Sequence, residues 1–85
     1  MSNVKVSREI SSAAGGVAVT PSDTTTFDPP GRALYVGVTG NVAVRMAGDL
    51  SVLTFIGVQG GTVLSLCVDR VMSTNTTATD MVLLR

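Results

Sequence analysis

The side chains able to carry chemistry in this 85-residue chain are few. They are Cys67, the carboxylates Glu9, Asp23, Asp28, Asp49, Asp69 and Asp80, Tyr35, and the cations Lys5, Arg8, Arg32, Arg45, Arg70 and Arg85; there is no histidine. Histidine is the usual general acid or base near neutral pH, and a Ser–His–Asp arrangement cannot be built without it. A catalytic thiol needs an activating neighbour, and the run around Cys67, "VLSLCVDRV", offers none of the usual kind. Cys67 is expected to be a small buried hydrophobe in a strand. One cysteine and no histidine exclude the usual zinc sets. Asp23 and Asp28 in "SDTTTFD" are the nearest approach to a calcium cluster, but in such a loop Asp is expected to cap and turn the chain. "GVQGGT" is glycine-rich without the lysine of a phosphate loop. The sequence thus predicts no catalytic residue, no cofactor and no metal: this is not an enzyme.

What remains is contact chemistry. Tyr35 lies on the strand face opposite Leu34, Val36 and Val38, and tyrosine is enriched at protein interfaces. Arg45, off the aliphatic face of the next strand, is expected to share that surface. Arg32 and Arg70 are expected at its rim, as ion-pair partners for acids of a neighbouring subunit. The interface candidates are therefore Tyr35, Arg45, Arg32 and Arg70.

The elements that would position these residues are strands. "ALYVGV" (33–38) and "NVAVRM" (41–46) are separated by Thr39 and Gly40, the spacing of a two-residue hairpin in which glycine supplies a positive φ. Strict alternation would put Leu34, Val36, Val38, Val42, Val44 and Met46 on one core face. "GVAVT" before them, "SVLTFI" after them and the closing "DMVLLR" read as further strands, and "TVLSLCVDRVM" (62–72) as the longest. "PSDTTTFDPPGR" is a surface loop whose Phe27 plugs the core edge, and "STNTTAT" is a polar loop. No helix is expected. The fold class is all-β: a small antiparallel β-sandwich or barrel, jelly-roll-like. Residues 1–14 form an N-terminal arm or edge strand, without sustained alternation, and residues 15–85 a single β domain.

Composition adds a constraint. A domain of this size buries only about 60–65% of its unfolded surface, so its core is weak and a staple is expected. A lone cysteine makes no intrachain disulfide and no metal set is expected, which leaves partner subunits. Hydrophobic residues make up 45% of the chain and charged residues 14%, against about 25% charged in typical soluble domains. Such a surface predicts an oligomer. Zero formal net charge with unclustered cations argues against nucleic acid. No apolar run approaches the roughly 20 residues of a membrane span. The N-terminus lacks the apolar core of a secretory signal, so cytoplasmic synthesis is expected.

A series of short motifs carries a resemblance. They are Pro21–Thr25 (PSDTT), Arg32–Gly37 (RALYVG), Gly40–Val44 (GNVAV), Thr54–Phe55, Gly61–Leu64 (GTVL) and Thr74–Thr79 (TNTTAT). In this order, over about residues 19–84, they resemble the head-spike base proteins of gene transfer agents and their relatives in tailed bacteriophages. One departure falls in a loop: Gln59–Thr62 reads QGGT where the family often has P-x-G-T. The resemblance implies a non-enzymatic virion protein on the capsid exterior, made in the bacterial host cytoplasm. It would be a head spike base, or a decoration or cement protein. It would assemble as a homo-oligomer, trimer or pentamer, against the major capsid protein and a spike fibre protein. A receptor- or glycan-binding module on the virion surface, and a small tail or baseplate subunit, remain as alternatives.

Overall fold

The computed structural model describes residues 13–85. The predicted arm, residues 1–14, therefore lies outside the described residues except for Ala13 and Ala14. The described residues form no helix and seven strands: β1 (Gly16–Val19), β2 (Ala33–Val38), β3 (Gly40–Met46), β4 (Val52–Val58), β5 (Thr62–Leu64), β6 (Val68–Val71) and β7 (Thr79–Leu84). They make two antiparallel sheets, one ordered β1-β7-β2-β5 and the other β4-β3-β6. The sheets pack as a small β-sandwich, in agreement with the all-β expectation.

The core is the meeting of the two inner faces. Leu34 and Val36 of β2 and Met81 and Leu83 of β7 face Val42 and Val44 of β3 and Val68 and Val71 of β6, all essentially inaccessible to solvent. Alternation explains the choice within each strand: β2 buries Leu34 and Val36 and turns Tyr35 outward. Phe27 packs partly buried against this cluster from its loop, as its position predicted.

Four sequence-based expectations are overturned, all for one reason. Residues 33–46 are not a hairpin. β2 pairs with β5 and β7, whereas β3 pairs with β4 and β6. Thr39 is a corner at which the chain leaves one sheet for the other. Gly40 is accordingly not in the left-handed region of a hairpin turn. It is small because the Ala78 backbone runs against it: a Cβ there would sit 2.5 Å from the Ala78 nitrogen. Likewise "TVLSLCVDRVM" is not one long strand. β5 belongs to the first sheet and β6 to the second, with Ser65–Cys67 crossing between them. Cys67 sits in that crossing and is exposed, not buried. Val38 reaches the corner beyond the inner face and is 46% exposed, and Met46 is half-buried. A strand that changes sheets loses its core face at the crossing, so alternation overstates burial there.

The loop between β1 and β2 covers one side of the sandwich. Ser22 N donates to Val71 O (2.8 Å), Phe27 N to Asp69 O (2.7 Å) and Gly31 N to Val68 O (3.0 Å). These bonds satisfy the outer edge of β6. Asp23 ties the loop to the β6–β7 connection. Its Oδ1 accepts from Ser73 N (2.9 Å) and Thr74 N (3.0 Å), and its Oδ2 from Thr74 Oγ1 (2.6 Å). The Thr74 hydroxyl, then the backbone bonds, hold this carboxyl below the usual range. This is the capping role expected of a loop aspartate.

Candidate assembly surfaces

The two outer faces of the sandwich differ in chemistry. On the four-stranded sheet, register aligns Ala18 with Val82, Val82 with Tyr35, and Tyr35 with Val63. This row crosses all four strands without a charge. Tyr35 is 37% exposed and Val63 51%. The outward row on one side, Gly16, Leu84 and Ala33, is also uncharged, and the row on the other side carries Asp80 beside Gly37. Such a face is costly to leave in water, and contiguous apolar patches of this kind mark contact sites.

The outer face of the three-stranded sheet carries ions that are already paired. Arg45 of β3 forks onto Asp69 of β6, with Nε to Oδ1 and Nη2 to Oδ2 both at 2.8 Å. The register of β3 on β6 slips between Arg45 and Met46. The extra residue in β6 turns Asp69 under Arg45, leaving that aspartate 9% exposed. Hydrogen bonding from Arg45, against a smaller opposing effect of burial, holds the Asp69 carboxyl below its usual value, and the same bond raises Arg45. Arg70, directly across from Arg45, donates Nη1 to Asp23 O (3.0 Å) and Nη2 to Thr26 Oγ1 (2.8 Å). It braces the covering loop.

The predicted quartet therefore separates. Tyr35 lies at the centre of the apolar face. Arg45 lies on the other sheet and does not share the Tyr35 surface, because the chain changes sheets between them. Arg45 and Arg70 are engaged within the chain. Arg32 is exposed just before β2, its amide bonded to Leu84 O (2.8 Å). Sequence reasoning missed Val63 and Val82, whose apolar alternation was visible but whose alignment with Tyr35 depends on register.

A second apolar region was also missed. β4 lies at the edge of its sheet, and Val52 (53%), Leu53 and Ile56 (74%) are exposed. Beside it, Met46, Gly48, Asp49, Ser51, Leu53 and Cys67 line an open groove. Asp49 stands at its rim, its Oδ1 accepting from Ser51 N (3.1 Å) and Ser51 Oγ (2.8 Å), the hydroxyl bond holding its carboxyl low. Among the described residues no group of three or more potential metal ligands is found.

Among solved structures, the fold is similar to a chain in the capsid of a native GTA particle computed with C5 symmetry. The match has a TM-score of 0.78 and 32% sequence identity, and covers 89% of this chain and 87% of that one. The chain belongs to the family of that GTA capsid protein. At this identity and coverage the likeness extends beyond the sandwich to the sequence that builds it. No protein-family model and no curated protein sequence matches the chain.

Proposed function

We propose that this protein is a non-enzymatic structural component of a gene transfer agent or phage virion. It acts on the capsid exterior as a homo-oligomeric head spike base or decoration protein and contacts the major capsid protein. The observation that carries the reading is the family membership: a relative with the same fold and 32% identity is part of a GTA capsid. The molecule's surface supports it. The charge-free row Ala18, Val82, Tyr35 and Val63 suits a face packed against another subunit, since interface centres are depleted in charge and enriched in tyrosine. With Arg45 and Arg70 engaged internally, this face with Arg32 at its margin, and the exposed β4 region, are the packing surfaces among the described residues.

The test is the double variant Tyr35→Glu/Val63→Glu in particle-producing cells. Both side chains point away from the core, so the variant is expected to fold with an unchanged circular dichroism spectrum. It is expected to be missing from purified particles, because two buried, unpaired carboxylates at an interface are strongly unfavourable. Immunogold labelling of wild-type particles is expected on the head. Incorporation of the folded variant at the wild-type level, or labelling confined to tails, would overturn the proposal.

A further inference from the structure

The sandwich has four sheet edges, and three are protected in the ways that usually prevent unwanted strand pairing. β5 has three residues and β1 four. The outer edge of β6 is bonded to the covering loop through Ser22, Phe27 and Gly31. β4 differs. It is seven residues long, VLTFIGV, with no charge and no proline. A bulge near Ile56 and Gly57 bends its far end, but Val52–Phe55 pair regularly with Val42–Arg45. Met46 N donates to Ser51 O (2.8 Å). Hydrogen-bonded and non-bonded pairs alternate from there along an antiparallel ladder, so the amides and carbonyls of Val52 and Thr54 point away from β3. No described segment meets them. The apolar groove along Leu53 adjoins this free edge.

The position of the chain start indicates what covers it. Ala14 N and Gly15 N both donate to Arg85 O, so the chain enters β1 along the β7 end. β1 closes one side of the first sheet. β5 closes the other side, and passes to the second sheet through Gln59–Gly61 towards β4 and through Ser65–Cys67 towards β6. Twelve residues precede Ala13: MSNVKVSREISS. Crossing the first sheet from β1 to β5 spans three strand spacings, and passing to the second sheet one sheet separation, together roughly 24 Å. At about 3.3 Å per residue that consumes roughly seven residues. A neighbouring copy whose β4 side abuts the β1 side leaves the whole segment free to pair. The segment carries strand-type residues, Val4, Val6 and Ile10, on a parity that also holds Arg8, with Lys5, Ser7 and Glu9 on the other. Its cations, Lys5 and Arg8, complement Asp49 at the groove rim.

We propose that residues 1–12 of one copy add as a strand along Val52–Phe55 of a second copy, joining subunits head to tail. The donor segment and the acceptor edge are different surfaces of the chain, so a contact passed from copy to copy is heterologous and gives a ring where its rotation closes. This deepens the homo-oligomer part of the proposed function. It is tested in solution, so that a ring that fails to bind particles would sink that reading and leave this one standing.

The test compares the full chain with a chain lacking residues 1–12, by native mass spectrometry and amide hydrogen exchange. The full chain is expected as an oligomer with the Val52 and Thr54 amides protected. The shortened chain is expected as a monomer in which these two amides exchange at least tenfold faster while those of β2 and β7 are unchanged. A synthetic peptide of residues 1–12 is expected to restore their protection. The full-length variant Thr54→Pro removes an outward N–H and is expected to fold as a monomer, which decides the matter should the shortened chain not fold. An oligomer that survives both changes, or a full chain whose Val52 and Thr54 amides exchange freely, would overturn the proposal. So would mixed copies in which disulfides from the segment to β4, scanned with cysteines at residues 4–10 against Thr54→Cys in a Cys67→Ser background, form only within one chain.

Discussion

Substituting Gly40 by alanine tests the topology directly. In the structure a Cβ at this corner would lie 2.5 Å from Ala78 N, 2.7 Å from Ala78 Cα and 2.8 Å from Thr77 C. Ordinary carbon contacts lie near 3.5 Å, so the neighbour must retreat by roughly 1 Å. That neighbour is backbone and is held in place. Thr77 N and Ala78 N both donate to Asn41 O, at 2.9 and 3.1 Å, and Asn41 N donates to Thr77 Oγ1 at 2.8 Å. Either the methyl is forced in, at about 1–3 kcal/mol, or these bonds stretch, at about 1 kcal/mol each. The expected loss is about 3 kcal/mol, which for a domain of this size lowers Tm by about 12–24 °C. Gly48→Ala is the control: nothing lies within 4 Å of the added Cβ there, and its effect is expected to stay within about 1 kcal/mol, on the stabilising side. Gly40→Asn separates the corner from a hairpin. Asparagine tolerates the positive φ of a hairpin turn but not a backbone contact at Gly40. Urea melts followed by circular dichroism measure all three. A near-native Gly40→Asn, or a Gly40→Ala no worse than Gly48→Ala, would refute the sheet-crossing account of this glycine.

The Arg45–Asp69 pair has a pH signature. The folded Asp69 carboxyl titrates below its ordinary value of 3.8, so its contribution is fully present above that pH and is lost as pH falls through the lower folded value. Asp69→Asn is therefore expected to be less stable than wild type at pH 7, with the difference closing below pH 3.8; urea melts showing a pH-independent difference would contradict the pairing. Cys67 is exposed in the folded protein, so it is expected to react stoichiometrically with a thiol reagent without denaturant, and a requirement for denaturant would place it back in the core.

The loops and most strands were legible because their signals are local. Prolines and threonines mark 20–31 and 73–79 as connections, and alternation identifies Leu34, Val36, Val42 and Val44 as inward. The uncharged outer row of the four-stranded sheet was legible only at Tyr35. The reading of Arg45 as its neighbour failed at Thr39–Gly40, a pair that reads equally well as a two-residue hairpin turn or as a sheet crossing. Asp69, the actual partner of Arg45, was seen only as a scattered acid, since a bulge in β6 brings it there.

By itself the sequence determined that the chain is all-β, poor in charge, without histidine and with a single cysteine. These follow from residue types and from the two-residue period of a strand, which need no knowledge of distant partners. The tertiary structure alone decided which sheet each strand joins, and hence that Tyr35 stands on an apolar face while Arg45 and Arg70 brace the opposite one. It also decided that β4 is an edge strand whose outward amides meet no described residue. Alternation states which residues of a strand share a face; it does not state what that face, or that edge, will meet. Those pairings join residues tens of positions apart, as Arg45 joins Asp69 and Asp23 joins Thr74, and they are chosen by the packing of both sheets at once.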